Sequence, residues 1–102
     1  MIHPREIEVL NILHGSEKPM ICIDIVQAGN NLSQSTVQAV LRKLLKEGLV
    51  EVDSIAHSNN VLSRAYRVTA KAKQVVLQQY INQYKEISNI VSKDEVIEAL
   101  RN

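Results

Sequence analysis

The most regular pattern of apolar and polar positions in this chain lies between residues 33 and 48. The apolar positions recur at the spacing of one helix face: Val37, Val40, Leu41, Leu44 and Leu45. Ser33 suits the N-cap, and Gly48 suits the left-handed residue after the helix end. The opposite face carries short polar groups and amides, then cations: Gln34, Ser35, Gln38, Arg42 and Lys43, with Thr36 near its edge. The pattern predicts an amphipathic helix from Ser33 to Glu47.

Two shorter helices are predicted before it. Pro4 suits the first turn of a helix that ends at Gly15 and has a buried side of isoleucine, leucine and valine. Residues 20–25 fit both an alternating strand and a helix face, and we predict a very short strand at 20–21 leading into a helix over 22–28. Residues 29–31 (Gly-Asn-Asn) favour a tight turn. A helix, a glycine-containing turn and a capped helix make the layout of a helix-turn-helix.

After Gly48 the apolar period changes from helical to two. Alternation predicts a strand from Leu49 to about Ala56, a polar turn over 57–60, and a second strand over 64–69. The hairpin tip is then residues 57–63. Thr69 is expected to cap a long helix from Ala70 to about Ile90. A hairpin placed directly behind a helix-turn-helix is a wing.

The long C-terminal helix has an apolar stripe of its own. Its members are spaced alternately three and four residues apart: Leu77, Tyr80, Tyr84, Ile87 and Val91. A small domain can cover only part of such a helix, so the stripe predicts a homodimer; the alternative is that it folds back on the first helix within one chain. A capping box at Ser92 to Glu95 opens a final short helix.

Composition and charge narrow these possibilities. A chain of 102 residues with 45% hydrophobic content suits one compact unit. Within it we expect a winged helix-turn-helix over residues 1–70 and a helical dimerisation segment over 71–102, mainly α with one small β-hairpin. The net charge is only +1. Residues 1–31 carry two cations against four acids, whereas residues 32–85 carry eight cations against three. The basic part of the chain is therefore its middle.

The polar face of the helix from Ser33 to Glu47 and the hairpin hold groups that can contact nucleic acid. Amide and hydroxyl side chains can hydrogen-bond base edges in a major groove, and cations can pair with phosphate. We expect Gln34, Ser35, Thr36 and Gln38 to face bases, and Arg42, Lys43 and Arg64 to face phosphates; Ser33, at the start of the helix, is also expected to contact DNA. The wing adds Asn59, Asn60 and Arg67 for the backbone or the minor groove. An ordinary surface helix with a solvated hairpin is the alternative.

Other chemistry has little support in the sequence. His3, His14 and His57 lie in separate elements without further ligands at metal-site spacing, so no metal or other cofactor is expected. The chain lacks a phosphate-binding glycine loop and a nucleophile motif, which argues against an enzyme. Cys22 has isoleucine neighbours and no cation, so an inert core thiol is favoured over a redox sensor. The lone cysteine, with no membrane-spanning stretch and no signal peptide, suggests a cytoplasmic protein.

These residues resemble the winged helix-turn-helix repressors of bacteria. The similarity to the MarR-type, PadR-type and penicillinase-repressor (BlaI/MecI-type) groups covers about residues 5–75. It rests on three runs of residues: Ser33, Thr36 and Val37; Leu41, Leu44 and Gly48-Leu49-Val50; and Tyr66 to Thr69 with Ala72. Two departures are Ile21, where a Ser or Thr cap is common, and Ala72, where many members have Gly.

The resemblance implies a dimeric repressor that binds double-stranded DNA with the helix from Ser33 to Glu47 in the major groove. Two alternatives stay open. One is a winged-helix module that uses the same faces to bind a protein, and the other is a plasmid replication or partition protein.

Overall fold

The computed structural model describes residues 2–58 and 60–102. The elements run α1 (Pro4–Gly15), α2 (Cys22–Ala28), α3 (Gln34–Lys46), β1 (Val50–Ser58), β2 (Val61–Val68), α4 (Ala70–Ile87) and α5 (Lys93–Arg101). The predicted fold class, mainly helical with one antiparallel hairpin, is confirmed. Helices α1, α2 and α3 also lie within a residue of their predicted bounds.

The three N-terminal helices and the base of the hairpin enclose one aliphatic core. Its most deeply buried side chains come from all of these elements: Ile25, Leu44, Leu49, Val9, Val37 and Val50. Each such side chain contributes about 1.5–3 kcal/mol when it leaves water. Since the apolar stripe of α3 faces this core, the polar stripe of α3 is directed outwards.

Local signals fix both ends of α3. The Ser33 hydroxyl accepts a hydrogen bond from the backbone N–H of Thr36 at 3.1 Å, as an N-cap does. At the other end Gly48 has a φ of 77°, in the left-handed region that glycine tolerates best. The predicted cap and the predicted glycine are both confirmed.

The turn between α2 and α3 uses its residues differently from the usual glycine turn. Asn31 takes the left-handed conformation, with a φ of 58°. Gly29 has ordinary backbone angles, but a Cβ there would overlap the Leu32 side chain. Gly29 is therefore required by close packing, which brings the buried Leu32 against the turn.

The hairpin is longer than the alternation predicted. Strand β1 continues to Ser58, and β2 already begins at Val61, with these two residues paired. The predicted polar turn over 57–60 and the tip over 57–63 are wrong in their bounds, because the β-branched Val61 and its neighbour Leu62 extend the ladder. Met20 forms a single bridge to Tyr66, which confirms the short extended segment before α2.

Helix α4 ends earlier than predicted, at Ile87 instead of about Ile90. The hydroxyl of Tyr84 donates a hydrogen bond to the backbone carbonyl of Val91 at 2.9 Å. The chain reverses between α4 and α5, and Val96 and Ile97 of α5 line a shallow apolar surface together with Tyr80 and Ile81 of α4. Val91 therefore lies beyond the end of α4. The predicted capping box of α5 is confirmed by reciprocal bonds between Ser92 and Glu95.

Candidate nucleic-acid interface

A groove separates α3 from the wing, the hairpin formed by β1 and β2. Its polar lining comes from one side of α3 and from β2, and includes Gln34, Gln38, Arg42, Ser63 and Arg64. Its floor is aliphatic, with Ile21, Leu41 and Leu45. Two guanidinium groups and no carboxylate are found among the described residues that line it. The structure thus brings together residues that the sequence placed in two separate elements.

The exposed face of α3 continues outwards from this groove. Ser35 and Arg42 are exposed, and the helical repeat places them opposite the buried valine and leucine stripe. The same repeat adds Lys46, which is exposed and forms no ion pair within the described residues. Lys46 was not among the predicted DNA contacts, although its position one turn after Arg42 is a sequence signal that indicates the same exposed face.

Two residues proposed as DNA contacts bind each other. The Ser33 hydroxyl donates to the Thr36 hydroxyl at 2.8 Å while it caps the backbone of α3. Thr36 is also only partly exposed. Their first role in the structure is therefore to start the helix, and Gln34, Ser35 and Gln38 present the more accessible polar groups.

Lys43 lies on the other flank of α3, away from the groove. Its Nζ is 2.8 Å from Oε1 of Glu6 on α1 and 3.9 Å from Oε1 of Glu47. Burial raises the pKa of Glu6, but the Lys43 ammonium and the His3 backbone N–H outweigh it and hold the pKa below the ordinary value. The Glu6 contact in turn raises the pKa of Lys43. The pair ties α1 to α3.

This ion pair predicts a pH dependence of stability. The pKa of Glu6 is lower in the folded protein than its ordinary 4.5, so the carboxylate stabilises the fold above pH 4.5 and the stabilisation disappears as the pH falls through the folded pKa. Glu8, whose pKa is lowered by the Asn30 backbone N–H and then by Arg5, acts in the same direction. The free energy of unfolding, measured with a chemical denaturant at a series of pH values from 7 to 3, should therefore decrease as the pH falls.

Glu6→Gln supplies the control for that measurement. This variant should be less stable at pH 7, and its stability should fall less steeply with acid because one of the two carboxylates is absent. If the free energy of unfolding fell equally steeply with acid in the wild type and the variant, Glu6 would not be a source of the pH dependence.

The two arginines of the wing have different surroundings. The Arg67 guanidinium lies 2.7 Å from Glu51 and 3.3 Å from Asp53 across the hairpin. Arg64 is exposed, lines the groove with Gln38 and Arg42, and has no ion pair within the described residues. Asn60 has a φ of 64° at the hairpin turn; Asn59, also proposed as a DNA contact, lies outside the described residues. Arg64 is thus the wing cation available to a ligand.

Comparison with known proteins identifies the fold. No family model and no curated protein matches the chain. Among solved structures, a PadR family transcriptional regulator from Eggerthella lenta is 18% identical, with a TM-score of 0.61 over 87% of this chain and 85% of that one. Bacillus subtilis PadR in complex with operator DNA is 14% identical, with a TM-score of 0.63 over 90% of this chain and 64% of that one. Staphylococcus aureus MarR, solved in complex with salicylate and kanamycin, is 16% identical, with a TM-score of 0.58 over 98% of this chain and 67% of that one.

The fold is a winged helix-turn-helix. The resemblance seen in the sequence is confirmed at this level, since PadR, HxlR and MarR regulators all appear among the neighbours. In the winged helix-turn-helix, α2 and α3 form the helix-turn-helix and the β1–β2 hairpin forms the wing. The groove between α3 and the wing therefore lies between the two parts that define this fold.

Four of the five predicted dimerisation residues lie along one face of α4, and Val91 lies beyond the end of that helix. Leu77, Tyr80 and Ile87 are 56%, 52% and 45% exposed on α4. Tyr84 is partly covered within its own chain, and Val91 lies in the turn before α5. An apolar groove next to Leu77 and Tyr80 continues onto α1 through Leu10. Ile90 and Leu100, which are not among the predicted dimerisation residues, are 81% and 76% exposed.

Other candidate sites receive no support from the described residues. Cys22 is partly buried, and burial raises the pKa of its thiol, which is the opposite of an activated thiol. Among residues 2–58 and 60–102, no group of histidine, cysteine and acidic side chains is arranged to hold a metal ion. None of the helices described in the structure is long and apolar enough to cross a membrane.

Proposed function

We propose that this protein is a sequence-specific, double-stranded DNA-binding transcriptional regulator that acts as a dimeric repressor. The observation that carries the proposal is the groove between α3 and the wing, where Gln34, Gln38, Arg42 and Arg64 are presented together without a carboxylate. Amides suit base edges, and guanidinium groups suit phosphates or guanine. A neighbour of the same fold, solved in complex with operator DNA, supports this use of the fold.

In this proposal α3 enters the major groove. Gln34, Ser35 and Gln38 face base edges, and Arg42 and Lys46 face the phosphates that border them. The wing lies over the backbone or the minor groove, with Arg64 towards the DNA. Residues 1–70 bind DNA and residues 71–102 join two copies, so that a symmetric dimer binds two half-sites.

Binding to a random duplex tests the proposal. Fluorescence anisotropy with a labelled duplex at low salt should show binding that weakens linearly on a log–log plot as salt rises. A single strand of the same sequence should bind more weakly, because the chain has only three tyrosines and no Phe or Trp for base stacking.

A second candidate function uses the same fold to bind a protein. The observation in its favour is the apolar end of the wing, where Ile55, Val61 and Leu62 are 56%, 59% and 64% exposed. Ile55 and Leu62 lie on one face of the hairpin and Val61 on the other, and clusters of exposed apolar side chains are typical of protein contacts. If the protein bound neither random nor selected duplexes at low salt, this candidate would replace the DNA-binding proposal.

The wing provides a matched pair of variants. Arg64→Ala should weaken binding to all duplexes alike and reduce the salt slope by about one unit per subunit, since one phosphate contact is lost. Arg67→Ala removes the same side chain from the same strand, but there the guanidinium is already paired with Glu51 and Asp53. It should leave the salt slope unchanged and cost at most about 1 kcal/mol of stability. Equal slopes for both variants would show that Arg64 does not contact DNA.

A further inference from the structure

Glu6 is the one charged side chain that is buried among the described residues, with only 3% of its surface exposed. One carboxylate oxygen, Oε2, accepts a hydrogen bond from the His3 backbone N–H at 2.7 Å. The other, Oε1, lies 2.8 Å from Nζ of Lys43. Lys43 is therefore the cation that compensates a buried charge.

Removing Lys43 from this contact is costly. If Lys43 left this contact, the buried Glu6 carboxylate would keep the hydrogen bond from the His3 backbone N–H but lose its ion pair, and most of the cost of taking its charge out of water would be uncompensated. Lys43 also has Glu47 at 3.9 Å, so its ammonium lies between two carboxylates. Lys43, Glu6 and Glu47 together therefore carry no net positive charge that could attract DNA.

The position of Lys43 on α3 agrees with this electrostatic argument. Gln34, Gln38 and Arg42 line the groove next to the wing. Lys43 borders a different surface, formed with His3, Arg5 and Ala39 where α1 meets α3. Arg42 precedes Lys43 by one residue and has no ion pair within the described residues.

We propose that Glu6 is a positioning residue that withholds Lys43 from DNA and uses it to hold α3 against α1. This inference rests on the proposed DNA-binding function and changes the assignment of Lys43 from phosphate contact to internal partner. Pairing Lys43 with Glu6 removes one phosphate contact and so lowers the affinity for every duplex. Because the base-facing amides are unaffected, the contacts that discriminate between sequences supply a larger share of the binding free energy.

Salt slopes on a random duplex test the inference. Lys43→Gln, which keeps a donor for Glu6, should leave the slope unchanged, whereas Arg42→Gln should lower it by about one unit per subunit. Glu6→Gln should raise the slope by about one unit per subunit and tighten random-duplex binding several-fold, because it releases Lys43. The double variant Glu6→Gln/Lys43→Gln should return to the wild-type slope.

The double variant Glu6→Gln/Lys43→Gln is the control for misfolding of the single variants. It retains polar groups at both positions without a buried charge, so it remains informative if either single variant melts early. Equal reductions of the slope by Lys43→Gln and Arg42→Gln, or a reduced slope in the double variant, would overturn this inference alone. No duplex binding by the wild type would overturn the proposed function and this inference with it.

Discussion

Leu77→Glu is expected to convert the proposed dimer into a monomer at micromolar concentration. Two-fold symmetry would place a carboxylate from each copy in an apolar interface, and an unpaired buried charge costs about 3–5 kcal/mol. Dimer affinity should therefore fall by at least about 100-fold. The fold of one copy should survive, because Leu77 is 56% exposed within its own chain. Sedimentation velocity measures the assembly, and circular dichroism measures the fold.

Asn82→Glu is the matched control for this change. Asn82 is exposed on the opposite face of α4, so a new carboxylate there should leave the dimer intact. Tyr84 is a poorer probe of dimerisation, because its hydroxyl bond to Val91 holds α5 on α4 and a substitution would also disturb that contact. A wild-type protein that sediments as a monomer would contradict the proposed dimer.

Loss of the dimer should also weaken binding to a two-half-site operator. In the proposed dimer the second domain would bind its half-site as an intramolecular step, which typically increases overall affinity by about 10²–10⁴-fold. Leu77→Glu should remove most of this gain while leaving the affinity for a single half-site unchanged. Unchanged operator affinity in a monomeric variant would contradict the role proposed for residues 71–102.

The elements that sequence analysis predicted well are those with local signals. Ser33 and Gly48 fix the two ends of α3 through contacts with their immediate neighbours. The apolar spacing of α3 then determines which face is buried and which face is presented. The composition of the presented face, amides followed by cations, could therefore be predicted from the sequence.

The features that were missed depend on contacts between distant residues. A bulge between Val52 and Ser54 shifts the pairing of the hairpin, and in the folded hairpin Arg67 faces Glu51 and Asp53. The alternation alone cannot show which of two arginines is paired. Likewise Glu6 meets Lys43 only after α1 packs on α3, and the bond from Tyr84 to Val91 forms only where the chain reverses after α4.

Gln38→Ala and Arg42→Ala should separate base recognition from phosphate contact. Gln38 is exposed and borders the groove, so its loss should leave folding nearly unchanged and cost about 1–3 kcal/mol on the preferred site alone. Arg42→Ala should weaken binding to preferred and scrambled duplexes by similar factors and lower the salt slope. Gln78→Ala, an exposed glutamine on α4, is the control for a general effect of losing an amide.

Selection from a randomised duplex library tests most directly whether α3 reads DNA sequence. The wild type should enrich a site with two symmetric half-sites whose centres lie about one helical turn, or a multiple of it, apart. Gln38→Ala should enrich the same site with the preference relaxed at one base pair in each half. A library that stays random with the wild type, or an identical enriched site for wild type and Gln38→Ala, would contradict this account of α3.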